Sequence, residues 1–90
     1  MTIARSFRVT GRVQGVAFRA WTRATAEGLG LSGWVRNEDD GSVTGHLEGP
    51  REAVERMVTQ LYEGPGAAAV SSVEVNETAP DGATGFEIRR

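Results

Sequence analysis

From Ile3 the large apolar residues, Ile3, Phe7 and Val9, fall on odd positions with Arg5 interrupting them, and a period of two marks a half-buried strand. Residues 3 to 11 are therefore expected to form a strand. Beyond a short loop the period changes. Phe18, Trp21, Thr25 and Leu29 recur at helical spacing, and Gly28 and Gly30 stand where a left-handed residue can close a last turn. This spacing predicts a helix over residues 18 to 29. The run LSGWVRNEDDGSVTGHLEG reads as a hairpin with strands over 32 to 38 and 42 to 48, because Asp40-Gly41 between alternating segments is a strong turn signal with positive φ allowed at both positions. Pro50 suits the first turn of a second helix. On it Val54, Met57, Val58 and Leu61 form one apolar stripe, Glu52 and Arg56 can pair at i and i+4, and Gly64-Pro65 ends it. Val70, Val73 and Val75 mark a fourth strand, APDGATG is a turn region, and FEIRR closes the chain with Phe86 and Ile88 alternating.

The order β-α-β-β-α-β with a short C-terminal strand is that of an α+β, ferredoxin-like sandwich: an antiparallel sheet carrying two helices on one face. At 90 residues the whole chain, 1 to 90, is expected to be one domain with a small core. This architecture hosts many unrelated functions, so it does not choose among them.

Composition narrows the chemistry. A net charge of -2 argues against a broadly basic surface, and aromatic residues at 7% leave few rings for stacking on bases, so no nucleic-acid partner is expected. Cysteine is absent, which removes disulfides, thiolate nucleophiles and cysteine-ligated metals together. All ten cations are arginine, so lysine Schiff-base chemistry and a Walker lysine are excluded as well. No apolar run approaches the ~20 residues of a membrane-spanning helix, and MTIARSFRVTGR lacks the apolar stretch of a secretory signal. A cytoplasmic protein without a membrane partner is the expectation.

The loop between the first strand and the first helix carries the clearest chemical signal. In GRVQGVAFRA, Gly15 can take backbone angles closed to other residues, so the run from Gln14 to Phe18 can turn successive N–H groups inward as a concave nest. At a helix N-terminus such a nest also gains the positive end of the helix dipole and the unpaired amides of the first turn. Arg19, in that first turn, can reach back with a guanidinium fork toward the same oxyanion. A phosphoryl group is the natural occupant. Pattern alone leaves a second reading open, an ordinary glycine turn followed by a solvated arginine.

GRVQGVAFR resembles the acylphosphatase signature, in which a V-Q-G-V-x-F-R run forms the phosphate cradle. GLSGWVRNEDDGSV is similar to the second signature of that family, G-W-V-R-N followed by a D-G turn. The likeness runs through LEGP, EGPGAAAV and FEIRR, with Ala17 and Thr44 as departures outside the catalytic positions. The resemblance implies an enzyme that hydrolyses acyl phosphates, small molecules, to a carboxylate and inorganic phosphate. It implies that Arg19 binds the phosphate, that Asn37 holds the attacking water, and that the backbone amides of Gln14, Gly15, Val16, Ala17, Phe18 and Arg19 complete the cradle. No cofactor is implied, and a monomer is expected. Such a substrate expels a carboxylate whose conjugate acid has a pKa near ~4, so no enzymic general acid is required. The alternative is a non-enzymatic or accessory module that keeps the cradle to bind carbamoyl phosphate or phosphate, similar to the acylphosphatase-like domain of hydrogenase-maturation carbamoyltransferases.

Other polar residues read structurally. Asp39 and Asp40 beside Gly41 belong to a hairpin turn rather than a metal site, and no metal is expected. His46 has no second histidine and alternates away from Val43, Gly45 and Leu47, so a solvated sheet position is expected. Trp34 and Arg36 share a strand face and are expected to stack. Ser71-Ser72 has no neighbouring base and is a strand pair.

Overall fold

The odd-position apolar run becomes β1 (Thr2–Arg12), and the chain continues through α1 (Phe18–Gly28), β2 (Ser32–Asn37), β3 (Val43–Pro50), α2 (Arg51–Glu63), β4 (Ala69–Thr78) and β5 (Phe86–Arg89). The computed structural model describes every residue from Met1 to Arg90. The sheet order is β4-β1-β3-β2-β5. β1 pairs antiparallel with β3 and β4, β2 pairs antiparallel with β3, and only β5 joins in parallel, alongside β2. The expected sandwich is therefore present, with a last strand that extends the antiparallel sheet into a mixed one. Pairing partners this far apart in sequence leave no mark in local periodicity.

Alternation sorts the sheet into two faces. Phe7, Val9, Val35, Val43 and Leu47 point to the helix side, where Phe18 and Ala26 of α1 and Val54, Met57 and Leu61 of α2 complete one buried cluster. Ser6, Arg8, Trp34, Arg36, Thr44 and His46 lie on the opposite, open face, around a polar depression. The loop after β4 crosses the end of β3, where the Asp81 and Gly82 N–H groups donate to Glu48 at 2.7 and 2.9 Å.

Gly33, in the G-W-V-R-N run, has a structural reason. Its φ is +144°, and a Cβ there would sit 1.8 Å from the His46 carbonyl oxygen, so only glycine lets β2 lie this close to β3. The β2–β3 connection differs from the two-residue turn expected. Gly41 alone is left-handed, while Asp40 stays at negative φ and its Oδ1 accepts from the Ser42 N–H and hydroxyl at 2.9 and 2.6 Å. Glu38 and Ser42 close the loop through a 2.8 Å backbone bond. A longer loop with one left-handed glycine suits the strand twist equally well. Pro50 stands at the N-cap, one residue before α2, and Glu52 and Arg56 form no ion pair.

His46 corrects an expectation. It does alternate away from the core, but it is 5% exposed rather than solvated. Its Nε2 lies 2.9 Å from Glu48 Oε1, and the 79–82 loop covers the pair. Hydrogen bonds from His46 and the Asp81 N–H, joined by that of Gly82, hold the Glu48 carboxyl below its ordinary pKa in spite of its burial. Trp34 and Arg36 do stack, with Arg36 Cζ 5.3 Å from the ring centroid, and Arg89 adds a second cation at 4.7 Å. Ser72 is an exposed strand residue whose hydroxyl meets Thr10 Oγ1 at 2.6 Å.

Candidate active site

Between β1 and α1 the backbone passes through two left-handed residues, Gly15 at φ 74° and Ala17 at φ 60°, with Val16 at negative φ between them. Alternating hand is the geometry that aims neighbouring N–H groups to one side. Val13 and Phe18, 1% and 2% exposed, pin the two ends of this loop in the core. Burying a ring the size of Phe18 stabilises by roughly 1.5–3 kcal/mol, enough to hold a single non-glycine residue such as Ala17 in a left-handed conformation that costs about 1–2 kcal/mol.

Ala17 is the N-cap of α1, with no side-chain cap and no acidic residue in the first turn. The first backbone bond of the helix runs from Trp21 N to Ala17 O at 3.0 Å, which leaves the N–H groups of Phe18, Arg19 and Ala20 without an intrahelical acceptor. Helix α1 therefore presents its positive end, uncapped, beside the nest.

These groups face a cavity of about 210 Å³. Gln14, Gly15, Ala17, Phe18 and Arg19 line it from the loop and helix, Asn37 enters from the last position of β2, and Ile88 closes it from β5. The side chain of Val16 instead packs against the core, so its share in the loop is its backbone. Asn37 Oδ1 is buried and has no hydrogen-bond partner in the chain. Arg19 is the only charged residue in the wall, and its Nη1 donates to the Arg89 carbonyl at 3.3 Å. The two residues singled out by their motifs thus meet at one cavity although 18 positions separate them in sequence.

No carboxylate or imidazole belongs to that wall. The nearest acid in sequence, Glu38, alternates to the open face, where Thr44 Oγ1 and Arg36 Nε donate to it at 2.5 and 2.9 Å. Those two bonds, in that order, hold its pKa below the ordinary value. No three histidine, aspartate or glutamate side chains come together anywhere in a way that could hold a metal ion. Ile88 was not among the expected site residues. Its alternation with Phe86 marks it as a sheet residue facing the helices, but nothing in FEIRR says that β5 lies beside β2.

The sequence and the fold agree with known proteins along nearly the full chain. The acylphosphatase family model matches residues 5–88. The acylphosphatase of Rhizobium meliloti (strain 1021) is 54% identical over 84 residues, covering 92% of this chain and 88% of that protein. The solved acylphosphatase of Coxiella burnetii superposes with a TM-score of 0.95 at 38% identity, covering 98% of this chain and 93% of that one. A crystal structure of full-length HypF in a phosphate- and nucleotide-bound form matches with a TM-score of 0.92 at 26% identity, over 100% of this chain but only 12% of HypF. A ferredoxin-like sandwich with an uncapped helix N-terminus and a paired arginine and asparagine at one cavity is the class of fold and site defined here. The chain belongs to the acylphosphatase family.

Proposed function

We propose that this chain is an acylphosphatase in which the backbone N–H groups of residues 14 to 19 and the Arg19 guanidinium hold the phosphoryl group, and Asn37 orients the attacking water. The observation that carries the reading is the make-up of the cavity wall: unpaired amides, one cation and one orphaned amide oxygen, with no acid or base. Amides and guanidinium meet the charge on the phosphoryl oxygens, and the buried Asn37 Oδ1 accepts a hydrogen bond from one O–H of the water, which points a lone pair of the water oxygen at phosphorus. In the step that follows, the water oxygen bonds to phosphorus as the phosphorus–carboxyl oxygen bond breaks. The carboxylate leaves with the electron pair, and the proton of the water's other O–H passes to a phosphoryl oxygen, since no residue in the wall can take it, while the hydrogen facing Asn37 stays on the transferred oxygen.

The same wall sets the substrate class. A carboxylate departs without protonation, whereas an alkoxide does not, so acyl phosphates are cleaved and alkyl phosphate monoesters are not. All of these groups come from one chain, which supports a monomer as the working unit, and no helix is long and apolar enough to cross a membrane. The reading extends to a cytoplasmic protein that needs no metal or other cofactor.

The likeness to one-eighth of HypF, solved in a phosphate- and nucleotide-bound form, keeps in view a second reading, an accessory module that binds phosphate or carbamoyl phosphate without turning it over. Identities of 54% and 60% to acylphosphatases, over most of both chains, favour the enzyme. Inhibition by inorganic phosphate separates the two assigned roles. Arg19→Ala is expected to weaken it by about 10- to 100-fold, the equivalent of one charge-assisted hydrogen bond or fork, and to lower turnover as well. Asn37→Ala is expected to leave it within a factor of about two while turnover falls. Loss of phosphate inhibition in Asn37→Ala, or its retention in Arg19→Ala, contradicts the assignment.

A further inference from the structure

The Gln14 side chain does something its place in the loop does not require. Its Nε2 donates one hydrogen to the Glu38 carbonyl at 2.8 Å and the other to the Ser42 carbonyl at 2.9 Å, 24 and 28 residues away. These two carbonyls belong to the connection between β2 and β3, and Glu38 directly follows Asn37. The amide of Gln14 therefore ties the start of the phosphate loop to the peptide next to the water-binding residue. Resting on the reading above, we infer that Gln14 is a positioning residue: its side chain sets the distance between the cradle that holds phosphorus and the Asn37 oxygen that holds the water.

The chemistry of the residue fits this task. A primary amide offers two coplanar N–H donors, which two carbonyls about 5 Å apart or less can share, while glutamate offers none and asparagine falls one methylene short. Neither acceptor depends on Gln14 for its only bond. Glu38 O also accepts from Gly41 N at 3.2 Å, and Ser42 O from Glu38 N at 2.8 Å. Removing the Gln14 donors therefore leaves the hairpin connection closed on itself and orphans no carbonyl, so the bonds are not needed to form the turn. Their effect is on the relative placement of two segments that are otherwise joined through the strands. The attack geometry depends on that placement, because a misplacement of ~1 Å can lower a rate by ~10²-fold while leaving ground-state binding intact.

The test is a double-mutant cycle between Gln14→Met and Asn37→Ala, with kcat, KM and the inhibition constant of inorganic phosphate measured for each folded variant. Methionine keeps the length and removes both donors. The expected result for Gln14→Met is a fall in kcat of about 10- to 100-fold with phosphate inhibition within about twofold of the parent. In the Asn37→Ala background the same substitution is expected to lower kcat no further, because the group it positions is gone. Gln14→Glu, with two carbonyls facing a carboxylate, is expected to lower kcat at least as far as Gln14→Met. Full turnover in folded Gln14→Met, additive losses in the double variant, or weakened phosphate inhibition in Gln14→Met each overturns the inference, the last by showing that the side chain shapes the cradle. Full turnover in Asn37→Ala alone removes the assignment of water to Asn37, and the inference with it, and is told apart by that single variant.

Discussion

Asn37→Ala is expected to make a far less active protein of nearly unchanged stability. Asn37 Oδ1 is buried without a partner in the chain. An acceptor without a partner in the chain costs up to about 1–3 kcal/mol, less whatever a bound water returns. Truncation to alanine removes whatever part of that penalty remains. It also removes van der Waals contacts worth roughly 1 kcal/mol, a modest loss because the side chain lines an existing cavity rather than filling the core. The net change is expected to lie between about 1 kcal/mol of destabilisation and about 2 kcal/mol of stabilisation, and a domain of this size converts each kcal/mol into about 4–8 °C of Tm. Turnover of an acyl phosphate should fall by about 10²- to 10³-fold, the loss typical of one positioned polar group. Thermal unfolding by circular dichroism and steady-state phosphate release on the same preparation check both halves. A Tm lowered by about 10 °C or more (beyond about 1 kcal/mol), or turnover within threefold of the parent, refutes the reasoning that this oxygen is held in reserve for water.

Three further outcomes follow from the geometry. Gly33→Ala places a Cβ 1.8 Å from the His46 carbonyl oxygen at a φ of +144°, and is expected to destabilise by at least about 2–3 kcal/mol, read as a Tm lower by 10 °C or more; a Tm within 3 °C of the parent contradicts the close approach of β2 to β3. Glu48, Glu38 and Asp40 all have pKa values lowered by hydrogen bonds in the folded chain. A lowered folded pKa contributes stability that is complete above the unfolded value and is lost as pH falls through the folded one. Unfolding free energy should therefore be level near neutrality and decline as pH drops below the ordinary values of 4.5 for glutamate and 3.8 for aspartate, with a shallower decline in Glu48→Gln, and an unchanged slope in that variant counts against the His46–Glu48 pairing. Treatment with a chelator should leave turnover unchanged, and activity that is lost and then restored by a divalent cation contradicts the metal-free chemistry.

Much of this fold could be read from the chain because its signals are local. The apolar stripe Val54, Met57, Val58 and Leu61 defines α2, and the alternation of Ile3, Phe7 and Val9 defines β1, without knowledge of partners. The placement of β5 in parallel with β2 is a non-local choice, and with it the contribution of Ile88 to the cavity stayed out of view. His46 shows the same limit. Alternation assigned it to the open face, but its burial comes from a loop that begins more than thirty residues later and from a carboxylate two positions along the strand. The loop around Gly15 was legible as a nest, while the left-handed Ala17 was not, because alanine carries no signal for positive φ and takes it here under the anchorage of Phe18. Gln14 was read for its backbone alone, since the carbonyls that its side chain meets are brought to it only by the folded sheet.

The central claim is that the cavity performs phosphoryl transfer without an acid, and the leaving group tests it most directly. Purified protein should be given an acyl phosphate and an alkyl phosphate monoester of similar size at neutral pH, with phosphate release followed for each and Arg19→Ala as the background control. A kcat/KM for the acyl phosphate at least about 10³-fold above that for the monoester, abolished by the Arg19 substitution, is the expected result. Comparable hydrolysis of the mixed anhydride and the monoester, or binding of the acyl phosphate with no release of phosphate above that of Arg19→Ala, contradicts it.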